Sequence, residues 1–101
     1  MKIEMEHKIA KKLDDIKSIK QNYGRLLDKI ELILSVLQVT DNLEEVPNVP
    51  PTRRHKLTGS YDGHWALDLD KNHRLIIKPS EKQDNPKNIT GVIIVDIVDY
   101  H

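Results

Sequence analysis

In the first 40 residues, apolar side chains return every three or four positions. Ile9, Leu13, Ile16 and Ile19 or Tyr23 form one stripe, and Leu26, Ile30, Ile33, Leu34 and Leu37 form a second. That period predicts two amphipathic helices, broken at Asn22-Tyr23-Gly24, where a glycine can take the left-handed conformation that ends a helix. The pair is expected to form an antiparallel hairpin, with Lys2 to Met5 a possible short leading strand. Pro47, Pro50 and Pro51 then forbid further helix, and beyond them the period falls to about two. Strands are expected at Arg53 to Leu57, His64 to Asp70, His73 to Lys78 and Ile89 to Tyr100, with Lys71-Asn72 as a tight turn. Trp65, Leu67 and Leu69 alternate with Ala66, Asp68 and Asp70, the mark of a strand buried on one face. Val92 to Val95 is apolar at consecutive positions, as in a strand covered on both. Ser80 to Asn88 is polar and aperiodic, and is expected to be a mobile surface loop.

Helices in one block (1–45) and strands in another (52–101) imply a single α+β domain over residues 1–101. A helical hairpin should pack on one face of a curved, mainly antiparallel sheet of four or five strands. The other face is then open to a partner. A chain of 101 residues supports one core and not two. Cysteine is absent, so no disulfide framework exists, and this fits a reducing cytoplasm. The charged N-terminus and the lack of a long apolar run argue against export or membrane insertion.

Sixteen basic and sixteen acidic residues cancel, which at first disfavours a nucleic-acid partner. The cancellation is uneven. Residues 51–78 carry Arg53, Arg54, Lys56, Lys71, Arg74 and Lys78 against Asp62, Asp68 and Asp70, and add His55, His64 and His73. Four polar clusters follow: Arg53-Arg54-His55-Lys56, Gly63-His64-Trp65, Asn72-His73-Arg74 and the terminal Asp99-Tyr100-His101. In an extended strand His55 and Arg53 share a face opposite Arg54 and Lys56. Arg74, among the apolar Leu75 to Ile77, needs either a carboxylate such as Asp68 or Asp99, or an anionic ligand. Tyr, His and Asp at a strand end are the types that move protons near neutrality, although structural roles are equally open to them. His55, His64 and His73 recur every nine residues, but His64 and His73 should lie roughly 20 Å apart along a hairpin, too far to share a metal. Neither a metal nor a cofactor is expected. Trp65, in phase with Leu67 and Leu69, is expected in the core.

In order along the chain, Arg53-Arg54-His55-Lys56-Leu57-Thr58-Gly59, Gly63-His64-Trp65-Ala66-Leu67, Asn72-His73-Arg74-Leu75-Ile76 and Val98-Asp99-Tyr100-His101 resemble the HigB, or "killer protein", family within the RelE/ParE superfamily of plasmid-maintenance and related toxins. The resemblance implies a RelE-like fold and a toxin of a type II toxin–antitoxin system. Its activity would be ribosome-dependent, metal-independent endoribonuclease cleavage of messenger RNA in the ribosomal A site. It also implies a HigA-type helix-turn-helix antitoxin and a toxin–antitoxin complex such as a heterotetramer. Carried onto matching positions, it places His55, Arg74, Asp99, Tyr100 and His101 in the catalytic set. Arg74 would bind the scissile phosphate, and His55 and His101 would transfer protons in an order the sequence leaves open. Arg53, Arg54, Lys56, His73 and Lys78 would hold RNA or ribosome. The family more often has an aromatic residue where this chain has His73. Two alternatives share the fold: a ParE-like gyrase inhibitor and an inactive antitoxin-binding module.

Overall fold

The computed structural model describes residues 1–99. Strand β1 (Lys2–Met5) comes first, followed by helices α1 (His7–Leu13), α2 (Ile16–Tyr23) and α3 (Leu27–Val39). Strands β2 (His55–Lys56), β3 (Trp65–Asp68), β4 (His73–Pro79) and β5 (Gly91–Asp99) complete a five-stranded sheet in the order β1-β5-β4-β3-β2. All neighbours are antiparallel except β1, which runs parallel to β5. The chain therefore does not open with the hairpin. Its first strand closes one edge of the sheet, so residues 1–45 are not purely the helical half.

The first arm of the hairpin is also not one helix. It breaks at Asp14-Asp15, and Asp15 caps α2 by accepting a hydrogen bond from the Ser18 amide at 2.8 Å. Restarting the helix shifts its phase. Ile16, expected in the stripe, is 60% exposed, while Ile9, Leu13 and Ile19 are buried. The second break falls where expected, but Gly24 has φ 2° and is not left-handed. The chain passes through a 3-10 turn, Gly24–Leu26, straight into α3, whose Ile30, Ile33 and Leu37 are fully buried.

The core is a single cluster between the helices and one face of the sheet, built on Trp65, Leu67, Leu75, Ile77, Val92 and Ile94 with the buried helix residues. Trp65 is 6% exposed, as its alternation predicted. The apolar run Val92 to Val95 has a different cause from the one expected. Ile77 pairs with Ile94 but Ile76 pairs with Asp96, so Val95 is an extra residue in a β-bulge, and Ile93 and Val95 are only half-buried. The bulge reverses the phase of β5: Ile97 and Asp99 lie with Leu75 and His73 on the helix-facing side. Asp96 and Val98 lie with Ile76 and Arg74 on the other.

Strand β2 is shorter than expected. Arg53 has φ 45° and so cannot continue an extended strand, and the segment before His55 docks through single bonds instead: Arg53 N–H to Val49 C=O, Arg54 N–H to Pro47 C=O, and Asp68 N–H to Thr52 C=O. Residues 80–88 contain a 3-10 turn at Pro86–Asn88, capped by Asn85, which accepts from the Lys87 amide at 3.1 Å. Among the described residues, no helix is long and apolar enough to cross a membrane.

Candidate active site

The β3–β4 hairpin organises the polar side of the molecule. Its register pairs Asp68 with Arg74, one residue away from the register that a Lys71-Asn72 turn would impose. Asp70 sets the difference. Its Oδ1 accepts the Asn72 and His73 amides at 2.8 and 2.7 Å, so the side chain closes a longer loop centred on Lys71. Asp68 and Arg74 thus lie directly opposite each other on the face away from the helices.

Asp68 serves two guanidiniums. Arg74 Nε is 2.9 Å from Oδ1. Arg53 grips the same carboxylate in a fork, Nε to Oδ2 at 2.6 Å and Nη2 to Oδ1 at 3.1 Å. Arg74 Nη1 also donates to the Asp70 and His73 carbonyls at 2.7 and 3.0 Å, which fixes the plane of its fork. Two guanidiniums thus share one carboxylate in a partly buried cluster. Of the partners open to Arg74 in the sequence, the carboxylate of Asp68 is present. The same bond raises the affinity of Arg53 for its proton.

His55 lies on this same face. It pairs with Ala66, two residues along β3 from Asp68, and its row continues through Ile76 to Asp96. From strand spacing and rise, the His55 and Arg74 Cα atoms are about 12 Å apart. The row between them is not open ground: Ala66 and Ile76 are fully buried. His55 Nδ1 is 2.7 Å from the Arg53 carbonyl. A carbonyl only accepts, so Nδ1 carries the hydrogen and the lone pair of the neutral ring sits on Nε2.

Asp99 and His73 are elsewhere. Both face the helix side of the sheet, where His73 stands between two carboxylates: Nδ1 is 2.9 Å from Asp70 Oδ1 and Nε2 is 3.5 Å from Asp99 Oδ2. Arg25, from the turn between α2 and α3, reaches the other Asp70 oxygen at 3.7 Å. The hydrogen bond from His73, helped by the two amides, holds the Asp70 carboxyl down to about 2 from 3.8. His73 is thus part of an internal ionic chain and not of the open face.

The remaining cations divide. Arg54 lies over the Trp65 ring, 5.3 Å from its centroid, and its Nε donates to the Val46 carbonyl at 2.8 Å. Burial lowers its pKa. Lys56 and Lys78 line an open groove of about 630 Å³ together with His64, Lys82 and Asp84. Lys56 is 3.8 Å from Asp84, and Lys78 is 3.0 Å from Glu6.

Of the expected catalytic residues, the structure therefore brings His55 and Arg74 to one face and sets Asp99 on the other side of the sheet. Tyr100 and His101 lie outside the described residues. The sequence reading passed over Asp70 and Lys82, and it weighed Asp68 only as a partner for Arg74. The alternation of Ala66, Asp68 and Asp70 with the buried positions was the available signal for Asp68. Nothing in the spacing pointed to Lys82.

The strand-first α+β domain, with helices on one face of a five-stranded mixed sheet, is a fold shared with solved structures of toxins. The chain is 17% identical to a YoeB/ParE toxin from Agrobacterium tumefaciens, with all of both chains covered and a TM-score of 0.60. It is 17% identical to YafQ of E. coli, with 96% of this chain and 90% of that one covered and a TM-score of 0.62. With the heterotetrameric YoeB–YefM toxin–antitoxin complex from Staphylococcus aureus it shares 19% identity over 100% of this chain and 97% of that one, at a TM-score of 0.56. No protein-family model matches the chain. No curated protein matches it in sequence.

Proposed function

We propose that this protein is the toxin of a type II toxin–antitoxin pair and acts as a ribosome-dependent endoribonuclease on messenger RNA. The observation that carries the reading is the Arg53–Asp68–Arg74 cluster beside His55 on the sheet face that the helices leave uncovered. Cleavage by the neighbouring 2′-hydroxyl needs that hydroxyl deprotonated, the growing charge on the phosphate stabilised and the 5′-oxygen protonated. A guanidinium fixed by Asp68 and two carbonyls is preorganised for the phosphate, since its position is set before RNA arrives. His55, with its lone pair on Nε2, suits the general base. His101 would then supply the proton to the leaving oxygen, with Tyr100 beside it. The HigB-type motifs support these roles for His101 and Tyr100.

The groove lined by Lys56 and Lys78 is the surface proposed to follow the RNA or ribosomal backbone, with Lys82 added to the sequence-based set. Arg53 works through Asp68, and Arg54 stabilises the Trp65 edge. The partner proposed is a HigA-type helix-turn-helix antitoxin in a heterotetramer, in a cytoplasmic protein. The solved YoeB–YefM complex lends support to the heterotetramer. The test is messenger cleavage in a purified translation system, with and without ribosomes, for wild type, Arg74→Ala and His101→Ala. Cleavage that requires ribosomes and vanishes in both variants is the expected result. Intact messenger with wild type would overturn the reading in favour of a gyrase inhibitor or an inactive antitoxin-binding module.

A further inference from the structure

The position where this chain departs from its resembled family is the one that ties three elements together. Arg25 from the α2–α3 turn, Asp70 from the β3–β4 loop, His73 at the start of β4 and Asp99 at the end of β5 form one unbroken ionic chain, with links of 3.7, 2.9 and 3.5 Å. Among the described residues His73 supplies its imidazole, and the His73 side chain is 17% exposed. A carboxylate oxygen faces each ring nitrogen. Neutral imidazole has one N–H and would turn a lone pair toward one of those carboxylates, whereas the imidazolium donates to both. The other charged groups around His73 are Arg74, which donates to the His73 carbonyl, and beyond it Asp68.

We propose that His73 is a positioning residue: its ring bridges Asp99 and the Asp70 loop and so fixes the strand at Asp99, the chain position immediately before Tyr100 and His101. The clamp itself is independent of what the protein does. Its effect on catalysis rests on the nuclease reading. Because Asp99 directly precedes Tyr100 in the chain, small shifts there displace whatever the following residues deliver. A loss of geometry of about 1 Å at a reacting group costs on the order of 100-fold in rate. The Asp70 loop is also the loop whose carbonyl orients Arg74, so one charged chain sets both the phosphate-binding guanidinium and the strand end.

The test compares wild type with His73→Phe, which removes both donors while keeping a planar ring, and His73→Gln, whose amide can donate to one carboxylate but cannot charge. Amide exchange across Ile97 to Asp99 and single-turnover messenger cleavage on ribosomes are followed together. His73→Phe should exchange about 10-fold faster at these amides and cleave about 10- to 100-fold more slowly, with ribosome affinity unchanged. His73→Gln should recover part of the protection. Equal exchange in wild type and His73→Phe overturns the clamp. Altered exchange with unaltered cleavage overturns its positioning role. Failure of wild type to cleave while the exchange results hold would instead overturn the nuclease reading and leave the clamp standing.

Discussion

Asp68 Oδ1 lies 2.9 Å from the Nε of Arg74, across the directly opposed pair that the β3–β4 hairpin creates. The same carboxylate is held in a fork by Arg53. Replacing Asp68 with Asn removes the charge shared by both guanidiniums but keeps the shape. We expect a loss of about 1 to 3 kcal/mol in urea unfolding, because the Arg53 fork and the Arg74 ion pair lose their ionic acceptor. Messenger cleavage should fall as well, although Asp68 itself touches no RNA in the proposed mechanism. Unchanged stability would show that solvent compensates both arginines.

Arg74→Lys should be nearly as damaging to cleavage as Arg74→Ala. The guanidinium meets Asp68 through Nε while Nη1 holds two carbonyls, and an ammonium, a single point of charge, cannot occupy both places. Both variants should lose on the order of 100-fold or more in the single-turnover rate, with far-ultraviolet dichroism unchanged. A lysine variant within a few-fold of wild type would reduce the role of Arg74 to simple charge.

Asp70 predicts an acid-side dependence of stability. Its carboxyl, held chiefly by the hydrogen bond from His73, sits at about 2 against an ordinary 3.8. A group with a depressed pKa in the folded state stabilises that state above its unfolded value and loses the contribution as pH falls through the folded one. The stability difference between wild type and Asp70→Asn should therefore be steady down to about pH 5 and shrink between about pH 4 and pH 2. A difference that stayed constant across that window would mean Asp70 contributes through the loop geometry alone.

Ile16 and Ile19 should behave oppositely despite their shared place in the sequence stripe. Ile16→Ser should change stability by no more than about 0.5 kcal/mol, as at an exposed site, whereas Ile19→Ala should cost about 2 to 4 kcal/mol as a buried deletion. Asp15→Ala should cost about 1 kcal/mol through loss of the cap on α2. Thermal or urea unfolding of the three variants checks the helix break directly.

These contrasts also show what the sequence could and could not carry. Alternation placed Trp65, Leu67 and Leu69 on the buried face, because period-two patterning records which face of a strand is dry. The stripe of α3 was equally plain. The break at Asp14-Asp15 was hidden because Ile16 fits the apolar period by accident, and only the cap on Ser18 shows that the helix restarts. The hairpin register was missed by one residue because Asp70 closes the loop with its side chain, a choice that turn residues alone do not announce. The open-face position of Arg74 was not legible from parity, since a Lys71-Asn72 turn would pair it with Leu69 on the core side; the resemblance singled out Arg74 and His55. Asp99 was placed with them by its neighbours in sequence, but parity after a bulge is not the parity before it.

That bulge gives β5 a counting rule. With Val95 as the unpaired residue, Ile94 and Ile97 both reach the core, and Asp96 is kept out of it. Were the same residues to run as a regular strand with no bulge, Asp96 and Val98 would turn inward and Ile97 and Asp99 would go to the open face. The one extra residue thereby keeps one carboxylate out of the core and holds another beside His73. The length of the strand, as much as the identity of its side chains, encodes which surface the end of the chain serves.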